Sequence, residues 1–291
     1  MSKKILITGK NSYIGLAVKV WLREKKQHFT VDELCLLDDT WQTFDFSQYD
    51  AVFHVAGIAH SDTGSADDNT VQLYYRINTQ LAISVAEKAR RDGVKQFILM
   101  SSMIVFGENA SLDSSIRITH NTIPKPLNFY GDSKLQAEIG LTELEQENFK
   151  VAIIRPPMVY GKNVKGNYPR LSKLAQRLKW FPDVENERSM IHIDNLCEFI
   201  YHVIIDQAAG TFHPQNSEYV NVAELVRAIA LVHEKNLILK KGITPFLPFL
   251  SKFSDSVTKV FGNFSYDMEL SEYPTNYRIR SFEESIQLTE K

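Results

Sequence analysis

Short apolar runs separated by helical patterns mark the first half of the chain. Residues 5–7, 34–37, 51–55, 97–100 and 151–154 are mostly apolar stretches of strand length. Between them, 14–25, 71–91 and 130–148 repeat apolar residues at helical spacing. Strand-then-helix alternation predicts parallel strands joined by crossover helices, an α/β doubly wound parallel sheet. The strand runs do not alternate with polar residues, as expected of strands covered on both faces. The turn-rich stretches 107–125 and 161–167 fall where such sheets bind ligands, beyond the carboxyl ends of strands. After residue 160 the alternation weakens, and helices are predicted over 168–178, 193–205, 222–233 and 282–288. The organisation read from this is a first domain over 1–160, joined by later pieces around 191–212. A smaller C-terminal domain takes most of 161–291.

The chain has 291 residues, with 33 Lys+Arg against 35 Asp+Glu, a formal net charge of −2. No basic excess points to nucleic acid or an anionic membrane. Cys35 and Cys197 are too few for a disulfide framework and spaced for no metal site, which fits a reducing cytoplasm. The apolar run after Lys3-Lys4 is too short for a signal peptide, and no run reaches transmembrane length. The most membrane-like stretch, 246–264, has apolar residues at helical spacing and reads as a surface helix packing one stripe on the body, with a membrane or partner contact as the alternative.

The first strand runs into Thr8-Gly9-Lys10-Asn11-Ser12-Tyr13-Ile14-Gly15 and then a helix. In that context glycines let backbone amides approach a pyrophosphate at the helix N-terminus. Two glycines in an ordinary strand–turn–helix would look the same, and Ser12 stands where a middle glycine is common. Asp38 follows 23 residues after Gly15, where an acid accepts bonds from ribose hydroxyls and repels a 2′-phosphate. Asp39 is equally acidic and leaves a plain surface turn open. Ser101-Ser102 closes the strand at 97–100, and Tyr130 and Lys134 share one helix face at i,i+4. A neighbouring ammonium should favour the phenolate, so that Tyr130 could take a proton while Ser102 orients the same oxygen. Alone, the Tyr/Lys pair would suit an amphipathic helix with a solvated lysine. Its place after a phosphate loop and a strand-end serine selects the catalytic reading.

Together these motifs resemble the extended short-chain dehydrogenases/reductases of the NAD-dependent epimerase/dehydratase family, which include the UDP-sugar 4-epimerases. The resemblance also rests on Val55-Ala56-Gly57, on Ser101 to Gly107, on Arg155-Pro156-Pro157-Met158-Val159-Tyr160-Gly161 and on Arg188 to Leu196. It implies a Rossmann domain with NAD, NADP being disfavoured. Gly9, Ser12, Tyr13, Ile14 and Gly15 would hold the pyrophosphate, Asp38 the adenosine ribose, and Asp45 and Phe46 would lie by the adenine. Ala56 and Gly57 would touch the middle of the cofactor, and Tyr130, Lys134 and Pro156 its nicotinamide side. Ser102 matches the catalytic hydroxyl residue, Asn167 a contact to the nucleotide-sugar, and Arg188 a contact to its pyrophosphate. Asn78 matches a structural asparagine, and His60 and His192 read as hydrogen-bonded structural residues. Met158, Ala59 and Phe106 depart from the pattern of the UDP-galactose enzymes, which bears on sugar specificity.

Within that family Met103-Ile104 stand where 4,6-dehydratases carry an Asp-Glu pair, and neither side chain moves protons. The expected activity is NAD-dependent 4-epimerisation of a UDP-hexose or UDP-N-acetylhexosamine through transient C4 oxidation. The alternative is NAD(P)H-dependent reduction of a 4-keto nucleotide-sugar, and a third reading is a cofactor-sensing protein without catalysis. The resemblance also implies a homodimer in which helices 71–91 and 130–148 form a four-helix bundle. Leu81, Ile83, Leu135, Leu141 and Leu144 are the second apolar positions expected at that interface.

Overall fold

The computed structural model describes residues 2–25, 28–59, 66–107, 115–241 and 261–291. The sequence reading of 246–264 and of His60 therefore falls largely or wholly outside the described residues. No helix among those described is long and apolar enough to cross a membrane.

The chain divides into two compact units. The first comprises Met1–Gly107, Ile123–Pro156 and Leu196–Pro214. It is built on strands β1 (Lys3–Thr8), β2 (Phe29–Leu34), β3 (Ala51–His54), β4 (Gln96–Met100), β6 (Lys150–Ile154) and β10 (Gly210–Phe212). They form one sheet in the order β10-β6-β4-β3-β1-β2, with every neighbouring pair parallel. The chain leaves β1 first towards β2 and then returns on the other side at β3. That reversal of strand order is where doubly wound sheets bind nucleotides.

Central strands bury both faces, as their apolar runs predict: Ile5, Leu6, Ile7, Val52, Phe53, Ile98 and Leu99 are fully buried. Strand β2 departs from the expected 34–37. It lies earlier, at the sheet margin, and its sequence Phe-Thr-Val-Asp-Glu-Leu mixes buried Val31 and Leu34 with exposed Thr30 and Asp32. A marginal strand has one solvated face, so the apolar run that follows it was the wrong signal. Leu37, within that run, is almost wholly exposed.

The helices of this unit are α1 (Tyr13–Glu24), α2 (Asp68–Tyr74), α3 (Leu81–Arg91), α4 (Phe129–Thr142) and most of α6 (Ile193–Ile205). The single helix expected over 71–91 is continuous but begins earlier, behind an Asp67 cap, and contains a π-helical stretch at Tyr75–Gln80. The wider turn carries the buried Asn78. Its side chain accepts from the Ile58 amide (2.8 Å) and donates to Ile58 O (3.1 Å) and Ser133 Oγ (3.0 Å). The small buried face of α3, with Ala82, Val85, Ala86 and Ala89 fully covered, packs in the core shared with Leu6, Val52, Phe97 and Leu141.

Helix α4 stops at Thr142, six residues short of the expected end. Glu143, Glu145 and Glu147 follow, and carboxylates at a helix C-terminus meet the negative end of its dipole. Leu141 and Leu144, expected to face a second subunit, are instead buried in this chain's own core, with Leu81 and Ile83 packed partly against it.

The second unit comprises Glu108–Thr122, Pro157–Asn195 and Gln215–Lys291. It holds three two-stranded parallel pairs: β7 (Met158–Tyr160) with β9 (Met190–His192), β8 (Trp180–Pro182) with β11 (Ile238–Lys240), and β5 (Ser115–Ile118) with β12 (Asn263–Tyr266). Helices α5 (Asn167–Arg177), α7 (Val222–Val232) and α8 (Phe282–Glu290) surround a core that includes Tyr160, Leu171, Val226, Ile229 and Ile286. Strand β5 lies in the stretch expected to be loop. His192 is buried and structural: its Nδ1 accepts from the Asp194 amide at 3.2 Å.

Candidate active site

The phosphate-loop residues sit where β1 turns into α1. Gly9 has φ +114°, and a Cβ there would lie 2.6 Å from the Ala56 nitrogen. The glycine is required by the close approach of this turn to the segment after β3 as well as by its backbone angle. Ser12 caps α1: its Oγ accepts from the Gly15 amide at 3.2 Å. A Cβ on Gly15 would stand 2.5 Å from that same oxygen. The serine at the usual middle-glycine position thus serves the helix end. No acidic side chain occupies the first turn of α1, so the positive end of the helix dipole, at Tyr13 and Ile14, faces the loop uncompensated.

Beyond β2, Asp38 stands four residues past the strand end, exposed, and caps a short 3₁₀ turn, Asp39–Gln42. Its carboxylate accepts from the Thr40 hydroxyl and, at 3.1 Å, from the Thr40 amide. Those bonds hold it below the ordinary Asp range, so it is charged at neutral pH. Asp45 is also exposed and accepts from the Ser47 amide at 2.8 Å. The Phe46 ring is fully buried in the core, and its amide donates to Asp92 at 3.2 Å. What Asp45 and Phe46 can offer an adenine is therefore the carboxylate of the first, not the ring of the second.

Ser102, Tyr130 and Lys134 are brought together beyond the end of β4. Ser102 caps the 3₁₀ turn Met103–Phe106, its Oγ accepting from the Ile104 amide at 3.2 Å. Its own proton is then left for the nearby Tyr130, whose ionisation the Ser102 side chain favours. Asn128 caps α4 through the Gly131 amide (2.8 Å), which places Tyr130 in the first turn and Lys134 one turn further on. Lys134 is buried, and its Nζ donates to Met100 O, the last carbonyl of β4, at 3.1 Å. Pro156, also buried, accepts the Met103 amide at 2.9 Å and ties the end of β6 to the same turn.

The electrostatics differ from the expectation in one respect. Burial pushes the Tyr130 phenol up to about 12, against which the Ser102 side chain works only in part. The Lys134 ammonium, whose Nζ donates to the Met100 carbonyl, is not among the groups that shift it. Burial also lowers Lys134 to about 8, with the Glu138 carboxylate opposing. Behind them His54, fully buried at the end of β3 and bonded through Nδ1 to Thr8 Oγ1 (2.8 Å), is driven down to about 3 by burial and then by the charge of Lys134.

These residues suit a nicotinamide dinucleotide. The loop has backbone room only a glycine allows, and a Cβ on Gly57 would stand 3.0 Å from Lys134 Nζ and from Asn78 Oδ1. The bare backbone at Ala56-Gly57 leaves the lysine approachable from that side. In the second unit Asn167 is exposed as the first residue of α5. Arg188 is largely buried, pairs its backbone with Val220 and Phe264, and donates through Nη1 to Gly262 O at 3.0 Å.

Sequence reasoning missed Glu138. It lies four residues after Lys134 on the same helix stripe, buried, and binds both Ser101 and Arg155. Its spacing, i+8 from Tyr130, was the available signal.

A doubly wound sheet with a glycine turn at its switch point and a Ser/Tyr/Lys cluster beyond the next strands defines a nicotinamide-dependent oxidoreductase of the short-chain type. The family model for the NAD dependent epimerase/dehydratase family matches residues 5–223, and the chain belongs to that family. It is 30% identical over 257 residues to the UDP-glucose 4-epimerase of Vibrio cholerae, covering 81% of this chain and 77% of that one. It is 28% identical over 227 residues to the N-acetyl-alpha-D-glucosaminyl-diphospho-ditrans,octacis-undecaprenol 4-epimerase of Escherichia coli O157:H7, covering 72% and 66%. Among solved structures, the UDP-glucuronic acid 4-epimerase of Bacillus cereus in complex with NAD superposes with a TM-score of 0.71 at 16% identity, over 99% of this chain and 97% of that one. The protein is thus an NAD-dependent enzyme of the sugar-nucleotide epimerase and oxidoreductase group.

Proposed function

We propose that the chain is a 4-epimerase of a UDP-hexose or UDP-N-acetylhexosamine. The observation that carries this reading is the gathering of Ser102, Tyr130 and the buried Lys134 beyond the end of β4, with no acid or base at Met103 or Ile104. The cluster can move one proton at one oxygen, as oxidation and re-reduction at C4 require, and offers none for an elimination.

In this reading Gly9 to Gly15 hold the pyrophosphate, Asp38 the adenosine ribose, Ala56 and Gly57 the middle of the cofactor, and Lys134 the nicotinamide ribose. NAD, when bound, supplies a hydride acceptor and a positively charged ring. Tyr130 Oη exchanges the proton of the sugar C4 hydroxyl, and Ser102 keeps that oxygen oriented. Because its own surroundings hold Tyr130 protonated, the positive charge that makes it a base must arrive with the bound partners. Asn167 and Arg188 are proposed contacts to the nucleotide-sugar, Arg188 to its pyrophosphate. The test is the cofactor found in purified protein, followed by assay with UDP-glucose and UDP-N-acetylglucosamine. Retained NAD⁺ and conversion without added cofactor support the epimerase. An empty site, with turnover only of a 4-keto nucleotide-sugar and added NADH or NADPH, replaces it by the reductase. Absence of any turnover or sugar binding leaves a cofactor sensor.

Two further outcomes are expected. The charged Asp38 should repel a 2′-phosphate, so fluorescence titration should show NADH binding more tightly than NADPH, with the preference diminished in Asp38→Ala. Equal or tighter NADPH binding by the parent would remove Asp38 from this role. The second outcome is a homodimer formed through α3 and α4. Leu135 is half-buried and Ile139 is 48% exposed on α4, and these rather than Leu141 and Leu144 are the apolar positions left for a partner. Light scattering at micromolar concentration should give twice the chain mass, and Ile139→Glu should shift it towards the monomer. A parent that scatters only as a monomer contradicts the proposal.

A further inference from the structure

Two residues of the proposed site, Ser102 and Pro156, each have a chain neighbour bound to one buried carboxylate, and that carboxylate lies on the helix that carries Tyr130 and Lys134. Ser101, next to Ser102, donates its hydroxyl to Glu138 Oε1. Arg155, next to Pro156, grips Glu138 with Nε at 3.1 Å from both oxygens and Nη2 at 2.5 Å from Oε2. Glu138 itself lies one helical turn beyond Lys134, two beyond Tyr130, and is only 3% exposed.

The backbones around this carboxylate are already paired. The Ser101 amide donates to Ile154 O at 2.8 Å, and the Arg155 amide to Phe212 O at 2.8 Å. Packing of β4 against β6 therefore does not need Glu138. What the carboxylate adds is a link from both strand-end turns to the face of α4 that bears Tyr130 and Lys134. It also sets the charge balance. Two cations, Lys134 and Arg155, are largely buried here, and Glu138 is the anion between them. Arg155 also stacks on Phe106 at 5.1 Å and approaches His213 at 3.4 Å.

We propose that Glu138 is a positioning residue of the active site: it joins the turns carrying Ser102 and Pro156 to the helix face carrying Tyr130 and Lys134, and serves as counter-charge to the lysine. The proposal rests on the catalytic roles given above for those residues. A purely structural ion pair would stabilise the fold without touching the lysine's ionisation. Buried pairs of that kind are often neutral to stability. The groups near Lys134 are Glu138 from α4, His54 from β3, Asn78 from the π-helical stretch, and the Met100 carbonyl from β4. His54 is neutral at the pH values of interest, so Glu138 is the anion among them that can hold the ammonium charged.

The direct readout is the titration of Lys134, followed by ¹³C NMR of ε-labelled lysine and assigned by loss of one resonance in Lys134→Arg. In Glu138→Gln, which keeps shape and removes charge, the midpoint should fall by about one pH unit. The alkaline limit of NADH binding should move down with it. In whichever assay works for the parent, turnover should drop about tenfold to a hundredfold with little change in KM. Ser101→Ala, which removes one hydrogen bond and leaves the ion pair, should fold with a melting temperature lowered by a few degrees and lose about threefold to tenfold in turnover. It keeps the proposal testable if Glu138→Gln does not fold. An unchanged lysine midpoint and NADH limit in Glu138→Gln, or parental turnover in Ser101→Ala, would overturn it. Because the lysine titration needs neither substrate nor cofactor, it separates failure of this proposal from failure of the epimerase reading.

Discussion

Tyr130→Phe should lower turnover by about 10²–10⁴-fold while NADH binding stays near the parental value. The substitution removes one oxygen and keeps the ring, which meets Tyr74 edge-on at 6.0 Å. At most one hydrogen bond is at stake, worth about 1 kcal/mol. A thermal scan should therefore show a small change, and single-turnover kinetics a large one. Full activity in Tyr130→Phe, in whichever assay works for the parent, would show that the proton moves through another group. Ser102→Ala should act in the same direction but less strongly, because it removes the orienting partner and leaves the proton carrier.

Lys134→Ala should abolish turnover and also weaken NADH binding, which Tyr130→Phe does not. The lysine has two tasks in the proposed site: a contact to the nicotinamide ribose and a positive charge in a buried place. The charge gives a pH dependence whose sign can be worked out. Burial holds Lys134 down to about 8, well under its ordinary value of 10.5. Below about 8 it is protonated and can hold the ribose, and as pH rises through that value the charge is lost. NADH affinity should accordingly be flat from about pH 6 to 7.5 and fall above 8, and the fall should vanish in Lys134→Ala. An alkaline loss near pH 10, the range of an ordinary lysine, would mean that the side chain is better solvated than its 5% exposure implies.

Much of the fold and of the candidate site was legible because the central strands and helix α4 speak in local patterns. Ile5 to Ile7, Phe97 to Met100 and Val151 to Ile154 are buried on both faces, so their sequence is apolar without interruption. Ser102, Tyr130 and Lys134 stand out as candidates because a strand-end hydroxyl and an i,i+4 pair are close to the shortest signals a site can leave. The misses are where the determining partner lies far along the chain or where position in the sheet changes the rule. β2 was displaced because a marginal strand may be half polar. β5 was hidden because Ser-Ile-Arg-Ile is too short to show a period, and its partner β12 comes near the end of the chain. The upward shift of Tyr130 was not legible, because spacing puts Lys134 on the right face but does not say how deeply the phenol is buried. Glu138 went unread for a similar reason: a helix stripe of Tyr, Lys and Glu looks solvated until the strand ends that cover it are known.

The two margins of the main sheet bear on how copies of this chain can associate. At one end β2 carries Asp32 and Glu33 along its length, with Glu33 in an ion pair with Lys19 and Asp32 accepting from Tyr49 at 2.9 Å. At the other end β10 is three residues long and opens on Gly210, whose φ of +106° is not that of an extended strand. A foreign strand would have to desolvate charge at the first margin and would find almost no ladder at the second. Growth of the sheet from one molecule into the next is thereby blocked at both ends, which guards a strand-rich core against fibrous aggregation and leaves helical faces as the routes to a closed assembly.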